Sequence, residues 1–220
     1  MRIGLLGTGV VGQTLGRRLV GLGHEVKMGS RSAGNDKAVA WAADAGEGAS
    51  EGTFADAAEF GELVINATAG VASLDALDAA GAANLAGKVL VDVANALDAS
   101  HGMPPIVGVG NADSLGEQIQ RAFPEARVVK TLNTMNCSVM VDPTIVAGSH
   151  TVFLSGNDAS AKAEVRRLLA EFGWPADDML DLGGIESSRG VEMYVGLWVH
   201  LWMATGTGEL NVKVVVVAGA

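Results

Sequence analysis

The stretch "RIGLLGTGVVG" (2–12) decides how this 220-residue chain is read. It starts as a short apolar run, "RIGLLGT" (2–8), of the kind that forms a buried strand. Gly7, Gly9 and Gly12 follow in the spacing G-x-G-x-x-G, with Thr8, Val10 and Val11 between them. From Gly12 to Leu22, apolar residues recur at helical spacing, with Leu15, Leu19 and Leu22 on one face, until Gly23 stops the run. "HEVKMGS" (24–30) then reads as a second strand. A glycine triplet alone is weak in a chain with 30 glycines, but strand, turn, helix and strand in this order give it its context. Gly7 suits the tight turn, Gly9 lets a pyrophosphate approach the backbone, and Gly12 lets the helix pack against the strand. The free N–H groups and partial positive charge of the helix start then face the phosphates.

The second strand runs into "VKMGSRSAGNDK" (26–37). A dinucleotide-binding unit usually ends this strand in an acid that holds a ribose hydroxyl. Here it ends in Ser30 and Arg31, with Lys37 opening the next helix. A carboxylate would repel an adenosine 2′-phosphate, whereas a hydroxyl donates to it and a guanidinium makes a charge-assisted pair with it. NADP(H) is therefore expected rather than NAD(H). Charge is distributed to match: residues 1–40 sum to +4 and residues 41–120 to −11. Arg31 as a solvated loop charge is the alternative.

Further along, "DKAVAWAADAG" (36–46) and "ADAAEFG" (55–61) read as helices, "LVINATA" (63–69) and "KVLVDVAN" (88–95) as strands. Residues 114–123 read as helix and "ARVVKTLNT" (126–134) as strand. This alternation predicts an α/β fold with a doubly wound, mostly parallel sheet, the Rossmann arrangement. "TVFLSGND" (151–158), the amphipathic "ASAKAEVRRLLAEFG" (159–173), "DDMLDLGG" (177–184), an apolar helix within 186–205 and a β-rich tail follow. Residues 1–140 are expected to form the nucleotide-binding domain and 141–220 a small C-terminal α/β lobe packed on it.

A net charge of −10 argues against nucleic acid as a partner, leaving a small-molecule substrate or second cofactor. No apolar run reaches the length of a membrane span. One cysteine, Cys137, allows no internal disulfide and no cysteine-based metal cluster, and with no signal peptide a cytoplasmic protein is expected. "MYVGLWVHLWM" (193–203) is apolar almost all round a helix and must be buried against the core or a second chain, so a homodimer is expected.

Groups able to protonate an alkoxide are scarce. Tyr194 and His200 sit on the apolar helix, where packing is the plain reading, though His200 in a pocket is also open. Lys130 lies inside a strand pattern, as a satisfied lysine would, and His24 packs beneath the fold. Asp92, Asp98 and Asp142 are too scattered for a metal signature. No catalytic residue and no metal ligand is assigned.

The segments "MRIGLLGTGVVGQTLGRRLVGLGHEVKMGSR" and "GLWVHLWMATGTGELNVKVV" resemble the coenzyme F420-dependent NADP oxidoreductases. The resemblance covers most of the chain, and the loop reading "NTMN" after residue 132 departs from it. It implies hydride transfer between NADP(H) and the deazaflavin coenzyme F420. It places NADP on Thr8, Ser30, Arg31 and Lys37, with the nicotinamide flanked by Asn66, Ala67, Thr68 and Val71, by Asn95, and by the loop from Thr134 to Cys137. Thr134, Met135, Asn136 and Leu210 would then border the second substrate. A reductase of a flavin, imine or small carbonyl compound, and a non-enzymatic NADP(H) sensor, are the competing readings.

Overall fold

Continuous apolar runs, rather than alternating ones, mark strands covered on both faces. Such runs form the centre of the sheet in the computed structural model, which describes residues 1–98, 100–108 and 110–217. β1 (Arg2–Leu6) leads through α1 (Val10–Gly21) to β2 (Glu25–Ser30), and α2 (Asp36–Ala45) leads to β3 (Ala49–Thr53). α3 (Phe54–Phe60) returns the chain to β4 (Leu63–Asn66), and α4 (Ser73–Ala80) with α5 (Ala82–Leu85) to β5 (Val89–Asp92). A two-strand hairpin of β6 (Leu97–Asp98) and β7 (Ile106–Val107) precedes α6 (Leu115–Ala122), β8 (Arg127–Thr131) and α7 (Cys137–Val141). β9 (Val152–Ser155), α8 (Ala159–Phe172), β10 (Met179–Asp181) and α9 (Ser188–Thr205) complete the order.

The main sheet has eight strands in the order β10-β9-β8-β5-β4-β1-β2-β3. All neighbours are parallel except β8 and β9. The chain starts at β1, builds outward through β2 and β3, then crosses to β4 on the other side. That reversal opens a crevice at the carboxyl ends of β1 and β4, where ligands bind in open α/β sheets. β9 and β10, from the C-terminal portion, extend this same sheet.

Side chains alternate between two cores. Ile3, Leu5, Val26 and Met28 meet Leu15 and Leu19 of α1, Trp41 of α2 and Phe172 of α8 on one face. Leu6, Val64, Leu90 and Val128 meet Phe54, Leu77 and Ile119 on the other. Helix starts are closed by side chains: Asn35 caps α2, Thr53 and Asp56 form a reciprocal box on α3, and Asp158 caps α8.

Several elements differ from the sequence expectation. β3, "ASEGT", carries no large apolar residue; it forms because it pairs in register with β2 at the sheet edge. The strand expected over 126–134 stops at Thr131, because Leu132 turns into the left-handed region at φ 62°. α7 then occupies part of a segment that reads as loop. The tail is extended without being a strand: Thr151 donates its N–H to Val212 O (2.8 Å), and the N–H of Val214 reaches Thr151 Oγ1 (3.1 Å).

α9 buries Val191, Val195 and Val199, and leaves Met193, Leu197, Trp202 and Met203 exposed. It is clamped to α6 through Arg189, which donates from Nε to Glu117 Oε2 (2.8 Å), while Ser114 Oγ donates to the same oxygen (2.7 Å). The Arg189 hydrogen bond holds the Glu117 carboxyl below its ordinary value, outweighing the opposing effect of burial. A carboxylate depressed in the folded state stabilises above its unfolded pKa and loses that contribution as pH falls through the folded pKa. Arg189→Ala should therefore lower stability at pH 7. Urea titrations of both proteins from pH 7 to pH 3 should show that difference shrinking on acidification.

Candidate functional site

The glycine turn is shaped by close backbone packing. Gly7 has φ 118°, and a Cβ there would lie 2.5 Å from the Ala67 carbonyl oxygen. A Cβ on Gly12 would lie 2.2 Å from the Gly7 carbonyl oxygen. The end of β1, the end of β4 and the first turn of α1 thus meet with no side chain between them. Gly9 differs: it is extended (φ −76°, ψ 178°), and a Cβ there would meet nothing within 4 Å. α1 has no side-chain cap and no acid in its first turn. Its first N–H groups, including those of Val10 and Val11, are free to face an anion. Val10 is exposed and Val11 half-buried at this helix start. The seat above Gly9 fits a dinucleotide pyrophosphate.

That seat opens into a cleft of ≈ 570 Å³. Gly7, Thr8 and Gly9 form its floor, with Ala67 and Thr68 on one side and Ser30 and Arg31 on the other. Ser30 is buried, and its hydroxyl donates to the Ser32 carbonyl (2.6 Å). Its proton therefore holds the turn, where the sequence suggested a donor to phosphate. Arg31 is exposed and makes no hydrogen bond or ion pair among the described residues. Lys37 is also exposed, on the first turn of α2 and outside the cleft wall; Asn35, which caps that helix, lines it instead. Sequence reasoning missed Asn35, although an Asn before a helical run is an N-cap signal. It also missed Phe54, Asp75, Ala76 and Ala79, which line the cleft as well. Phe54 opens α3, and α4, "SLDALDAA", carries the other three; the small residues of α4 gave no strong periodicity.

The nicotinamide-side residues fall into two groups. Asn66 is fully buried; it donates to Asp92 Oδ1 (2.9 Å) and Ser73 Oγ (3.0 Å) and accepts from Thr68 Oγ1 (2.7 Å). It therefore shapes the wall through Thr68 without lining the cleft. Val71 is exposed in the turn before α4. Asn95 is half-buried and exchanges hydrogen bonds with Asn133, donating to its carbonyl (2.7 Å) and accepting from its side chain (3.0 Å).

The second group sits beside α1. Thr134 and Met135 are buried; Asn136 caps α7, accepting from the Ser138 N–H (3.0 Å). Cys137 is half-buried, with Thr14 Oγ1 3.6 Å from its sulfur. The tail passes here, since a Cβ on Gly208 would lie 2.9 Å from Asn136 Nδ2, and Leu210 follows half-buried. None of Thr134 to Cys137 lines the cleft itself.

Behind Asn66 lies a buried ion cluster. Lys130 Nζ contacts Asp92 Oδ2 (2.9 Å) and Glu192 Oε1 (2.9 Å) and donates to the Ala94 carbonyl. Burial opposes the ammonium charge, but the two carboxylates outweigh it and hold the Lys130 pKa above its ordinary value. Burial raises the pKa of Tyr194. His200 lies on the exposed side of α9, and His24 is buried against Glu171 Oε2 (2.6 Å).

Residues 2–96 match the family model described as NADP oxidoreductase coenzyme F420-dependent. A solved structure from Arthrobacter sp. FB24, provisionally described as an F420-dependent NADP-reductase, is 53% identical. It superposes with a TM-score of 0.91, covering 97% of this chain and 99% of that one. The rat metalloreductase STEAP3 is 30% identical over 196 residues, 87% of this chain; the chain spans 36% of that protein's length. An imine reductase from Streptomyces aurantiacus shares the fold at 19% identity and a TM-score of 0.67, over 93% of this chain and 63% of its own.

Two glycine substitutions separate folding from ligand binding. Gly12→Ala drives a methyl into backbone that has no room, and should lower stability by about 1–3 kcal/mol or more. Gly9→Ala meets no protein atom, so its melting temperature should stay near wild type while affinity for nicotinamide dinucleotides falls at least about tenfold, the methyl occupying the phosphate seat. Thermal melts and cofactor titrations of the two variants check both.

Proposed function

The chain belongs to the coenzyme F420-dependent NADP oxidoreductases, and from that premise we propose that it transfers a hydride between NADP(H) and the deazaflavin ring of coenzyme F420. It is an NAD(P)-dependent oxidoreductase by family. The likeness to the Arthrobacter structure along nearly the whole length of both chains carries the choice of F420. Preference for NADP(H) is supported by Arg31, an exposed guanidinium at the rim of the cleft with no acid at the end of β2. When bound, the nicotinamide supplies the hydride-carrying carbon. The chain's part is to hold the phosphates on Gly7, Thr8, Gly9 and the start of α1. Arg31 would grip the 2′-phosphate, and the wall of Ala67 and Thr68 would align the ring.

Transfer between two rings needs alignment and exclusion of water more than a proton donor. Asn136, Cys137 and the tail around Leu210 stand on the α1 side of the sheet's carboxyl edge, where a second ring would find its wall. The exposed apolar side of α9, with Trp198 and Trp202 stacked at 6.1 Å, supports a homodimer built on that helix. No helix among the described residues is long and apolar enough to cross a membrane. The lone cysteine fits a reducing, cytoplasmic setting.

Arg31→Ala should weaken NADPH binding about ten- to hundredfold and leave NADH nearly unchanged, the loss of one charge-assisted contact. Equal affinities of the wild type for NADPH and NADH would overturn the preference. Absorbance of F420 mixed with NADPH and enzyme should show the deazaflavin reduced; reduction of a flavin or an imine in its place would move the acceptor. Light scattering at micromolar concentration should give twice the mass of one chain, and a monomer removes the dimer.

A further inference from the structure

We propose that the buried cluster of Lys130, Asp92 and Glu192 sets which redox form of the nicotinamide cofactor the cleft prefers, its surplus negative charge favouring NADP⁺ over NADPH. The inference rests on the cofactor reading above and adds a role for charges that the binding site itself does not use.

The cluster holds two carboxylates against one ammonium, with side-chain exposures of 0% for Lys130, 0% for Asp92 and 2% for Glu192. Its formal charge is one negative unit, removed from water and so weakly screened. Each member is fixed. Asp92 Oδ1 accepts from Asn66 Nδ2 (2.9 Å) and the Ala94 N–H (3.2 Å). Glu192 accepts from the N–H groups of Leu115 (2.7 Å) and Gly116 (3.0 Å) at the start of α6. That helix start offsets part of the surplus. The next ion pair, Arg189 with Glu117, is neutral as a pair.

Position gives the charge its effect. Asn66, Asp92 and Lys130 lie opposite one another at the carboxyl ends of β4, β5 and β8. Ser30 and Arg31 claim the adenosine end of the cleft, so the nicotinamide end is the one toward β4 and β5. Thr68 on the cleft wall donates to Asn66, and Asn66 donates to Asp92. The cluster is thus two hydrogen bonds behind the wall at the nicotinamide end.

The oxidised ring carries a positive charge and the reduced ring none, while phosphates and adenosine are common to both. The ratio of the two affinities therefore isolates the field at the ring. A partly compensated unit charge at this depth should favour NADP⁺ by about three- to tenfold. Tenfold corresponds to about 30 mV in a two-electron potential. Bound NADPH would be the stronger reductant by that amount, and the cleft would be poised to give a hydride away.

The test is equilibrium titration of NADP⁺ and NADPH into the wild type, Glu192→Gln, Asp92→Asn and the double variant Glu117→Gln/Arg189→Gln at one pH, with circular dichroism to verify folding. Wild type should bind NADP⁺ more tightly. The two neutralising variants should each lose about three- to tenfold of that preference. Glu117→Gln with Arg189→Gln removes the neighbouring ion pair as a whole, loosening the same helix with no change in net charge, and should keep the wild-type ratio. A merely structural role would weaken both forms together and leave every ratio alone. Wild type that binds NADPH as tightly as NADP⁺ overturns the proposal without recourse to any variant. So does an unchanged ratio in a folded neutralising variant, or an equal shift in the charge-neutral double variant. Wild type that binds neither form is a different result: it removes the cofactor reading, and this proposal with it.

Discussion

Three backbones meet without side chains between them at the carboxyl ends of β1 and β4, and the rest of the site follows from that contact. The carbonyls of Gly7 and Ala67 occupy the space that Cβ atoms would need at Gly12 and Gly7. α1 is thereby held tight against the strand ends, with its open first turn aimed at the crevice where the strand order reverses. Hydrophobic burial alone would place the helix somewhere on the sheet, since Leu15 and Leu19 pack on any apolar face. The glycines fix its height, and a phosphate site depends on height, because N–H groups act on an anion only within the first turn.

On the far side of the same crevice, order comes from polar groups. Asn66 closes the β4 turn by bonding at both ends of its amide, and its donor rests on Asp92. Asp92 rests on Lys130, and Lys130 on Glu192 of the C-terminal helix. Removing one partner from such a buried set leaves an uncompensated charge, which is why the set behaves as a unit. α9 is therefore tied to the cofactor wall through hydrogen bonds as well as packing. Asn133 makes a parallel link, donating to the Val191 carbonyl (3.1 Å) as well as to Asn95.

The sequence made the fold legible where one principle dominated. β1, β4 and β5 read correctly because buried parallel strands show as apolar runs, β2 because it follows the glycine turn and α1 in a strand-helix-strand unit, and the glycine spacing located the turn and α1. β3 did not, because an edge strand with half-exposed polar residues is made by its neighbour and not by its own pattern. Leu132 ended β8 early through a left-handed turn that residue type would not suggest. In the site, Gly7, Thr8, Gly9, Ser30 and Arg31, read from spacing, line one cleft with Ala67 and Thr68, which the family resemblance implied. Asn66 and Asn95 lie one layer behind the surface, a distinction that needs side-chain direction and not position. The Lys130 cluster was invisible for the same reason: its members are far apart in sequence and meet only through strand register and the return of α9.

The tail bears on how two rings could be brought face to face. It leaves α9 at Gly206, passes Asn136 at Gly208, and is then pinned at the end of the sheet. Asn211 donates to His150 Nδ1 (2.9 Å) and to the Thr151 carbonyl (3.1 Å), and Lys213 donates to Asp178 Oδ1 (2.7 Å). These bonds reach the residues just before β9 and the turn before β10, and the Gly206 N–H donates to the Trp202 carbonyl (2.9 Å), so the segment between Gly206 and Asn211 is held at each end. A segment so fixed can present Leu210 to a ring at little entropic cost, because its backbone is already ordered before any ligand arrives. Hydride transfer between flat rings draws on that kind of preorganisation more than on acid–base groups. A deazaflavin would require of this chain a firm wall beside Asn136 and a cofactor seat fixed by backbone packing, and it is these that α1, the Asn66 network and the pinned tail supply.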